Sequence, residues 1–196
     1  VRVLRPLMPV FDPVSRVLQR ISEEIAEAIT PAQLKTGHIL TEEELGSIDV
    51  YLTEEEALKI LFPQAHKIQA EELRLTPDQK IRIQDRIGWK FPEESFRAFK
   101  AETDGKVDGY AVIQETIGKH RPITYIVGVT PQGKVFDVEI MVYRESKGSE
   151  VRRKRFNAQY EGKTAQDPIS INKDIINITG ATMSVRSVSA GVKRAL

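Results

Sequence analysis

The residues best suited to chemistry lie near the C-terminal end of the chain, at positions 179–184, which read TGATMS. The small side chains of Gly180 and Ala181 let another group approach the backbone closely. From Val185 onward, apolar residues recur at three- and four-residue spacings, which predicts an amphipathic helix that begins near Thr182. Because a helix start carries free N–H groups and a positive dipole end, it favours an anion. The pattern therefore indicates a threonine hydroxyl placed to meet a phosphate.

A simpler interpretation of the same hydroxyls is structural. Serine and threonine are common N-caps, so Thr182 or Thr179 could close the helix start through its own side chain. The residues before them, Ile175, Ile176 and Ile178, predict a short buried strand or extended segment. From spacing alone, phosphate binding and capping both remain open.

A second stretch that could face a ligand begins where a predicted strand ends. Positions 143–151 read YRESKGSEV, and a predicted helix with Phe156 and Tyr160 on one face follows before Gly162-Lys163. Turns rich in glycine and serine are common at strand ends, so a purely structural role is equally open.

Together these stretches resemble the FMN-binding domain family. Positions 179–184 resemble its [S/T]-G-A-T-x-[S/T] motif, positions 145–148 its E-[T/S]-x-G segment, and positions 156–163 its F-x-x-Q-[F/Y]-x-G-K segment. The three motifs occur in the expected order, and the resemblance covers about residues 105–196. Such domains occur in one subunit of the Rnf complex, in the sodium-pumping NADH:quinone oxidoreductase and in the nitrous-oxide-reductase regulator.

The resemblance implies FMN as cofactor, joined by a flavin transferase to a threonine hydroxyl as a phosphoester. The matching acceptor is Thr182. The family often has an aspartate six residues before the acceptor, where this chain has Ile176, and Asp174 is the candidate replacement. The other residues that the resemblance places at the flavin belong to the three motifs: Thr179, Gly180, Ala181, Ser184, Glu145, Ser146, Gly148 and Lys163.

The resemblance further implies an electron carrier that belongs to a redox complex rather than a stand-alone enzyme. It would relay electrons between membrane-associated or extracytoplasmic partners, for instance in a periplasm. Two alternatives remain open: a protein that binds FMN non-covalently, and a non-redox scaffold subunit of a larger complex.

Composition narrows the other possibilities. The 196 residues include 29 Lys and Arg against 28 Asp and Glu, a net charge of +1, so no global field favours nucleic acid. The absence of cysteine excludes disulfides, thiolate catalysis and cysteine-ligated metals. The basic run at 152–155 is interpreted as a solvated surface. No apolar run is long enough to span a membrane, and since the chain begins with Val1, a preceding signal or anchor stays open.

The predicted fold class is α+β. Residues 1–47 are predicted to form a helical N-terminal arm for docking or packing, with a membrane complex as one candidate partner, and residues 48–196 the FMN-binding domain. Capping signals at Thr53 and Thr76 predict two helices. An antiparallel sheet with helices over one face is predicted from apolar runs at 66–75, 96–103, 107–116, 123–130 and 134–143.

Overall fold

The computed structural model describes residues 48–88, 90 and 95–196, so the predicted arm at 1–47 lies outside the described residues. The described part is an antiparallel six-stranded sheet with flanking helices, which confirms the α+β class. Strands β3 to β6 form the antiparallel meander predicted for residues 96–143, β2 at the predicted strand 66–75 pairs with β3, and β1 pairs with the outer edge of β6. The strands are β1 (Asp49–Val50), β2 (Lys67–Arg74), β3 (Ser95–Thr103), β4 (Lys106–Ile117), β5 (Pro122–Val129) and β6 (Val135–Tyr143).

Both predicted capping boxes are present. Thr53 precedes α1 (Glu54–Leu61), and its hydroxyl accepts from the Glu56 N–H at 3.2 Å. Thr76 precedes α2 (Pro77–Ile87) and accepts from the Gln79 N–H at 3.3 Å. Each box satisfies helix-start donors that have no partner within the helix. The remaining helices are α3 (Lys154–Asn157), between two short 3₁₀ turns, and α4 (Thr182–Ala195).

Helices cover both faces of the sheet, so the prediction of coverage on one face is wrong. Helix α4 packs on one face with strand residues such as Tyr125 and Val127, while α1 packs on the other with residues such as Ile126. The alternation in β6 misled the prediction because the β5–β6 register skips Phe136 and Met141. Each skipped residue is a bulge, which resets the side-chain alternation and directs Phe136 and Met141 to the α1 face.

The apolar face of α4 matches its sequence pattern. Val185, Val188 and Val192 are fully buried, and Leu196 packs against the same cluster. A polar seam fixes the helix along its axis: Thr116 Oγ1 lies 2.8 Å from Tyr125 Oη and 2.6 Å from Ser187 Oγ. The sheet thereby sets the position of the helix start that carries the TGATMS motif. Among the described residues, no helix combines the length and apolar character needed to cross a membrane.

Candidate functional site

Helix α4 begins without a side-chain cap. Its N-cap residue is Ala181, and within the part of the chain that the structure describes, this helix start has no side-chain cap hydrogen bond. The interpretation of Thr182 or Thr179 as the cap is therefore wrong, and Thr182 is instead the first helical residue. Alanine is among the poorest N-caps, and the positive end of the helix dipole lies at this point. An anion bound here would provide the acceptor that the side chains do not.

The Thr182 hydroxyl is held from outside the helix. Asn177 Nδ2 donates to Thr182 Oγ1 at 2.9 Å. Thr182 is half-buried, whereas Asn177 and Gly180 are exposed. A Cβ built on Gly180 would meet no atom within 4 Å, so the space in front of the helix start is open. The hydroxyl is thus oriented and remains accessible to a large reactant.

Gly148 brings the second predicted motif against the first. A Cβ at this position would lie 2.9 Å from Ala181 Cβ and 3.1 Å from Ser184 Oγ. Its φ of +92° is also one that other residues rarely adopt. Contact and conformation together explain why glycine stands where the strand-end turn meets the start of α4.

A buried tyrosine joins the same two segments. Tyr143 Oη donates to the Lys147 carbonyl at 2.5 Å and lies 2.9 Å from Ser184 Oγ. Because the phenol has one hydrogen, which the carbonyl takes, the Ser184 hydroxyl must donate to Tyr143. Burial raises the pKa of Tyr143, so the phenol stays neutral at physiological pH. Ser184 is therefore occupied in fixing the turn onto the helix.

The other residues predicted in the strand-end motif have different positions. Glu145 Oε1 accepts from the backbone N–H groups of His120 at 2.6 Å and Arg121 at 3.0 Å. Its carboxylate thus holds the β4–β5 turn, while Ser146 is exposed. Their placement at a flavin stays a prediction.

Lys163 and Asp174 form a largely buried ion pair. Lys163 Nζ lies 2.9 Å from Asp174 Oδ2, and the two side chains are 19% and 17% exposed. The Asp174 carboxylate also accepts from the N–H groups of Ile169 and Ser170, at 3.1 and 2.9 Å. The carboxylate bonds these groups and not the Thr182 hydroxyl, which bonds Asn177 instead.

Burial alone would raise the pKa of Asp174, but the Lys163 ammonium and the two backbone N–H groups outweigh it and lower that pKa. Asp174→Asn is expected to reduce the free energy of unfolding at pH 7 by about 1–3 kcal/mol, since Lys163 loses its partner. A depressed folded-state pKa gives stability that is present above the unfolded pKa of about 3.9 and is lost as pH falls below it. Urea titrations at several pH values measure the free energy of unfolding of both proteins.

The matched control for Asp174→Asn is Glu161→Gln, which also removes one nearby carboxylate but at an exposed site. The control is expected to shift stability by less than about 0.5 kcal/mol. The difference in the free energy of unfolding between wild type and Asp174→Asn should become smaller below about pH 4. If that difference in the free energy of unfolding stayed constant down to the pH at which the protein unfolds in acid, the role assigned to the Lys163–Asp174 ion pair would be contradicted.

Two clefts flank the start of α4. One, of about 330 Å³, is lined by residues that include Phe156, Ile176, Ile178 and Asn177. The second, of about 560 Å³, lies on the side of Met183 and includes Arg186 and Lys193. Ile176 is 80% exposed, so the prediction that it is buried is wrong. The first cleft thus includes Asn177, the residue whose amide bonds the Thr182 hydroxyl.

The basic run at 152–155 divides between structural and surface positions. The Arg152 guanidinium lies 4.6 Å from the Tyr51 ring centre, and Lys154 Nζ bonds carboxylates of Asp137 and Glu139. Arg153 and Arg155 are exposed and line the smaller cleft. The run thus places positive charge at the rim of an apolar cleft.

The sequence interpretation missed two residues of this site. Asn177 had a signal, since it is the one polar residue between Ile175 and Ile178. Tyr143 had none, because an aromatic residue at a strand end is ordinary core. Fold and site together define a domain that presents the Thr182 hydroxyl on an uncapped helix start, near a cleft with apolar lining residues.

Comparison with known proteins identifies that kind of domain. Residues 118–196 match the model of the FMN-binding domain family, and this range includes positions 145–148, 156–163 and 179–184. This part of the chain is therefore similar to FMN-binding domains, and the similarity indicates FMN as the cofactor.

The relatives belong to oxidoreductase complexes. One is a component of the proton-translocating ferredoxin:NAD(+) oxidoreductase complex of Clostridium ljungdahlii, 33% identical over 106 residues, which are 50% of this chain and 57% of that protein. The chain therefore spans little more than half the length of this relative. Two solved structures are similar: NqrC of Shewanella oneidensis, and a component of the Na(+)-translocating NADH-quinone reductase of Parabacteroides distasonis. The NqrC structure is 16% identical with a TM-score of 0.48, and the alignment covers 74% of this chain and 84% of that one. The Parabacteroides structure is 15% identical with a TM-score of 0.45, and the alignment covers 74% of this chain and 85% of that one.

Proposed function

We propose that this chain is an electron carrier whose FMN is attached to Thr182 Oγ1 as a phosphoester. The observation that supports this most directly is the Thr182 hydroxyl itself. It stands on the first residue of an uncapped helix, accepts a hydrogen bond from Asn177, and belongs to the residues that match the family. Bound FMN supplies the redox chemistry, whereas the protein supplies attachment, orientation and local electrostatics.

The start of α4 fits the phosphate end of the cofactor. The described residues supply no side-chain cap at this start, and the helix dipole favours negative charge there. Gly180 and Thr179 are exposed and leave room in front of the first-turn N–H groups. We therefore assign the phosphate to the backbone of residues 182–184.

The smaller cleft fits the ring end. Its volume of about 330 Å³ lies within the range of small-molecule sites, and Phe156, Ile176 and Ile178 offer apolar contact. Arg153 and Arg155 stand at its rim, and positive charge near a flavin favours its reduced, more negative forms. We propose that these residues cover the ring and raise its reduction potential.

The partners in this proposal are redox proteins of a membrane complex. The relative from Clostridium ljungdahlii belongs to a complex that translocates protons, and we extend that setting to this chain. We place the domain on the extracytoplasmic side, with residues 1–47 as its docking arm. A flavin transferase would load the cofactor there.

The proposal is tested by electron flow through the purified protein after co-production with a flavin transferase. Dithionite is expected to bleach the flavin absorbance bands, with one flavin per chain, and ferricyanide to restore them. The same protein should pass electrons from reduced methyl viologen to ferricyanide faster than an equal concentration of unloaded protein does.

Two outcomes separate the alternatives. A colourless protein after this maturation would contradict the proposal and favour a scaffold subunit. Yellow colour that acid precipitation releases into the supernatant would keep FMN as cofactor but contradict its covalent attachment.

A further inference from the structure

We infer that Asn177 is a positioning residue for the attachment of the cofactor, an inference that rests on the proposed function. Its side-chain amide donates to Thr182 Oγ1 at 2.9 Å and is the hydrogen bond that fixes this hydroxyl in the structure. In the motif, the residue that carries this contact lies five positions before the acceptor. The aspartate expected six positions before is Ile176, whose side chain cannot bond a hydroxyl.

The backbone around Asn177 is fixed on both sides. The Ile176 N–H donates to Gln159 Oε1 at 2.7 Å, and the buried Ile175 anchors the chain before it. After it, the Ala181 N–H donates to the Ile178 carbonyl at 2.9 Å, which closes a turn. Gly180 is the third residue of that turn and has a φ of +83°, as a type II turn requires. The turn returns the chain so that the amide meets the hydroxyl.

The direction of this hydrogen bond determines what Asn177 can do. A hydroxyl has one hydrogen and two lone pairs, and the amide occupies one lone pair. The second lone pair and the hydrogen stay available to a reactant and a base. An amide takes up no proton at physiological pH, so Asn177 orients the nucleophile without deprotonating it. The Asp174 carboxylate is engaged with Lys163 and two backbone N–H groups, and we assign the base to the transferase.

The step itself balances with an activated flavin donor. Direct condensation of FMN with an alcohol would release water and is unfavourable in water, so the donor must carry a better leaving group, as in a flavin dinucleotide. Thr182 Oγ1 attacks the phosphorus next to the riboflavin, and an Oγ1–P bond forms. The P–O bond of the pyrophosphate breaks, AMP leaves with the electron pair, and the hydroxyl proton passes to the base. Asn177 serves this step by holding Oγ1 in one orientation.

Three variants test this role, with a flavin transferase and flavin adenine dinucleotide as reactants and the gain in mass of the chain as readout. Asn177→Ala removes the donor. Asn177→Asp keeps the shape but at neutral pH can only accept, and Asn177→Gln keeps the donor on a longer arm. Lys173→Ala, at an exposed site in the preceding loop, is the control. Thermal unfolding of each variant checks the fold.

Asn177→Ala and Asn177→Asp are expected to lower the maximal attachment rate about 10- to 100-fold. The chain concentration at half-maximal rate and the melting temperature should stay unchanged, and Asn177→Gln should recover part of the rate. Should Asn177→Ala unfold early, Asn177→Asp decides, because it preserves the shape. An Asn177→Asp rate equal to or above that of wild type would overturn the donor role, as would an Asn177→Ala rate within about twofold of wild type. A wild-type chain that gains no mass would overturn the proposed function and this role with it.

Discussion

Replacing Thr182 with valine is expected to abolish covalent flavin while leaving the fold intact. Valine keeps the shape of threonine but lacks the oxygen that would form the phosphoester. The lost hydrogen bond from Asn177 should lower stability by only about 1 kcal/mol, since that side chain is exposed and turns to water. Flavin fluorescence of the denatured chain on a gel measures attachment, and the melting temperature measures the fold.

The matched controls for Thr182→Val lie in the same motif. Thr182→Ser retains a hydroxyl and should retain fluorescence, at a reduced yield because serine is less restricted about χ1. Thr179→Val removes an exposed hydroxyl three residues earlier and should keep its covalent flavin. Fluorescence that persists in Thr182→Val and disappears in Thr179→Val would move the acceptor to Thr179.

Gly191→Ala is expected to destabilise the packing of α4 on the sheet. A Cβ at this position would lie 1.7 Å from Tyr125 Oη and 2.5 Å from Tyr125 Cζ. Alanine normally stabilises a helix interior by about 1 kcal/mol over glycine. Here the buried tyrosine cannot withdraw without losing its bonds to Thr116 and to the Ser187 carbonyl. We expect a net loss of about 1–3 kcal/mol in urea unfolding.

A double-mutant cycle with Tyr125→Phe separates the steric clash from a general helix effect. Removing the hydroxyl takes away the nearest atom, but Cζ remains within 2.5 Å of the new methyl group. The double variant should therefore recover part of the loss, with a coupling of about 0.5–3 kcal/mol. Fully additive effects would show that Gly191 and Tyr125 do not constrain each other.

Local sequence signals predicted much of this fold. The capping boxes at Thr53 and Thr76 act within four residues, so their pattern is sufficient to place α1 and α2. The strand runs were predicted to within about a residue because turns at Gly105 and Gly133 punctuate them. The valine spacing in α4 likewise determined which face is buried.

Features that depend on contacts between residues far apart in the chain could not be predicted from the sequence. The bulges at Phe136 and Met141 are set by pairing with β5, and they direct these two side chains to the α1 face of the sheet. Thr182 looked like an N-cap because capping depends on a one-residue difference in where the helix begins. The contact of Gly148 with Ala181 joins residues far apart in sequence, so spacing could not reveal it. The sequence therefore predicted which motifs the chain contains but not how they lie relative to one another in space.

The measurement that tests the central claim most directly is the intact mass of the wild-type chain after acid denaturation. The protein should come from its native host or from co-production with a flavin transferase. An added mass of one FMN less one water, located by peptide mapping to the segment with Thr182, is the predicted result. A chain of unmodified mass over a colourless supernatant would contradict the account and leave a scaffold or binding subunit in its place.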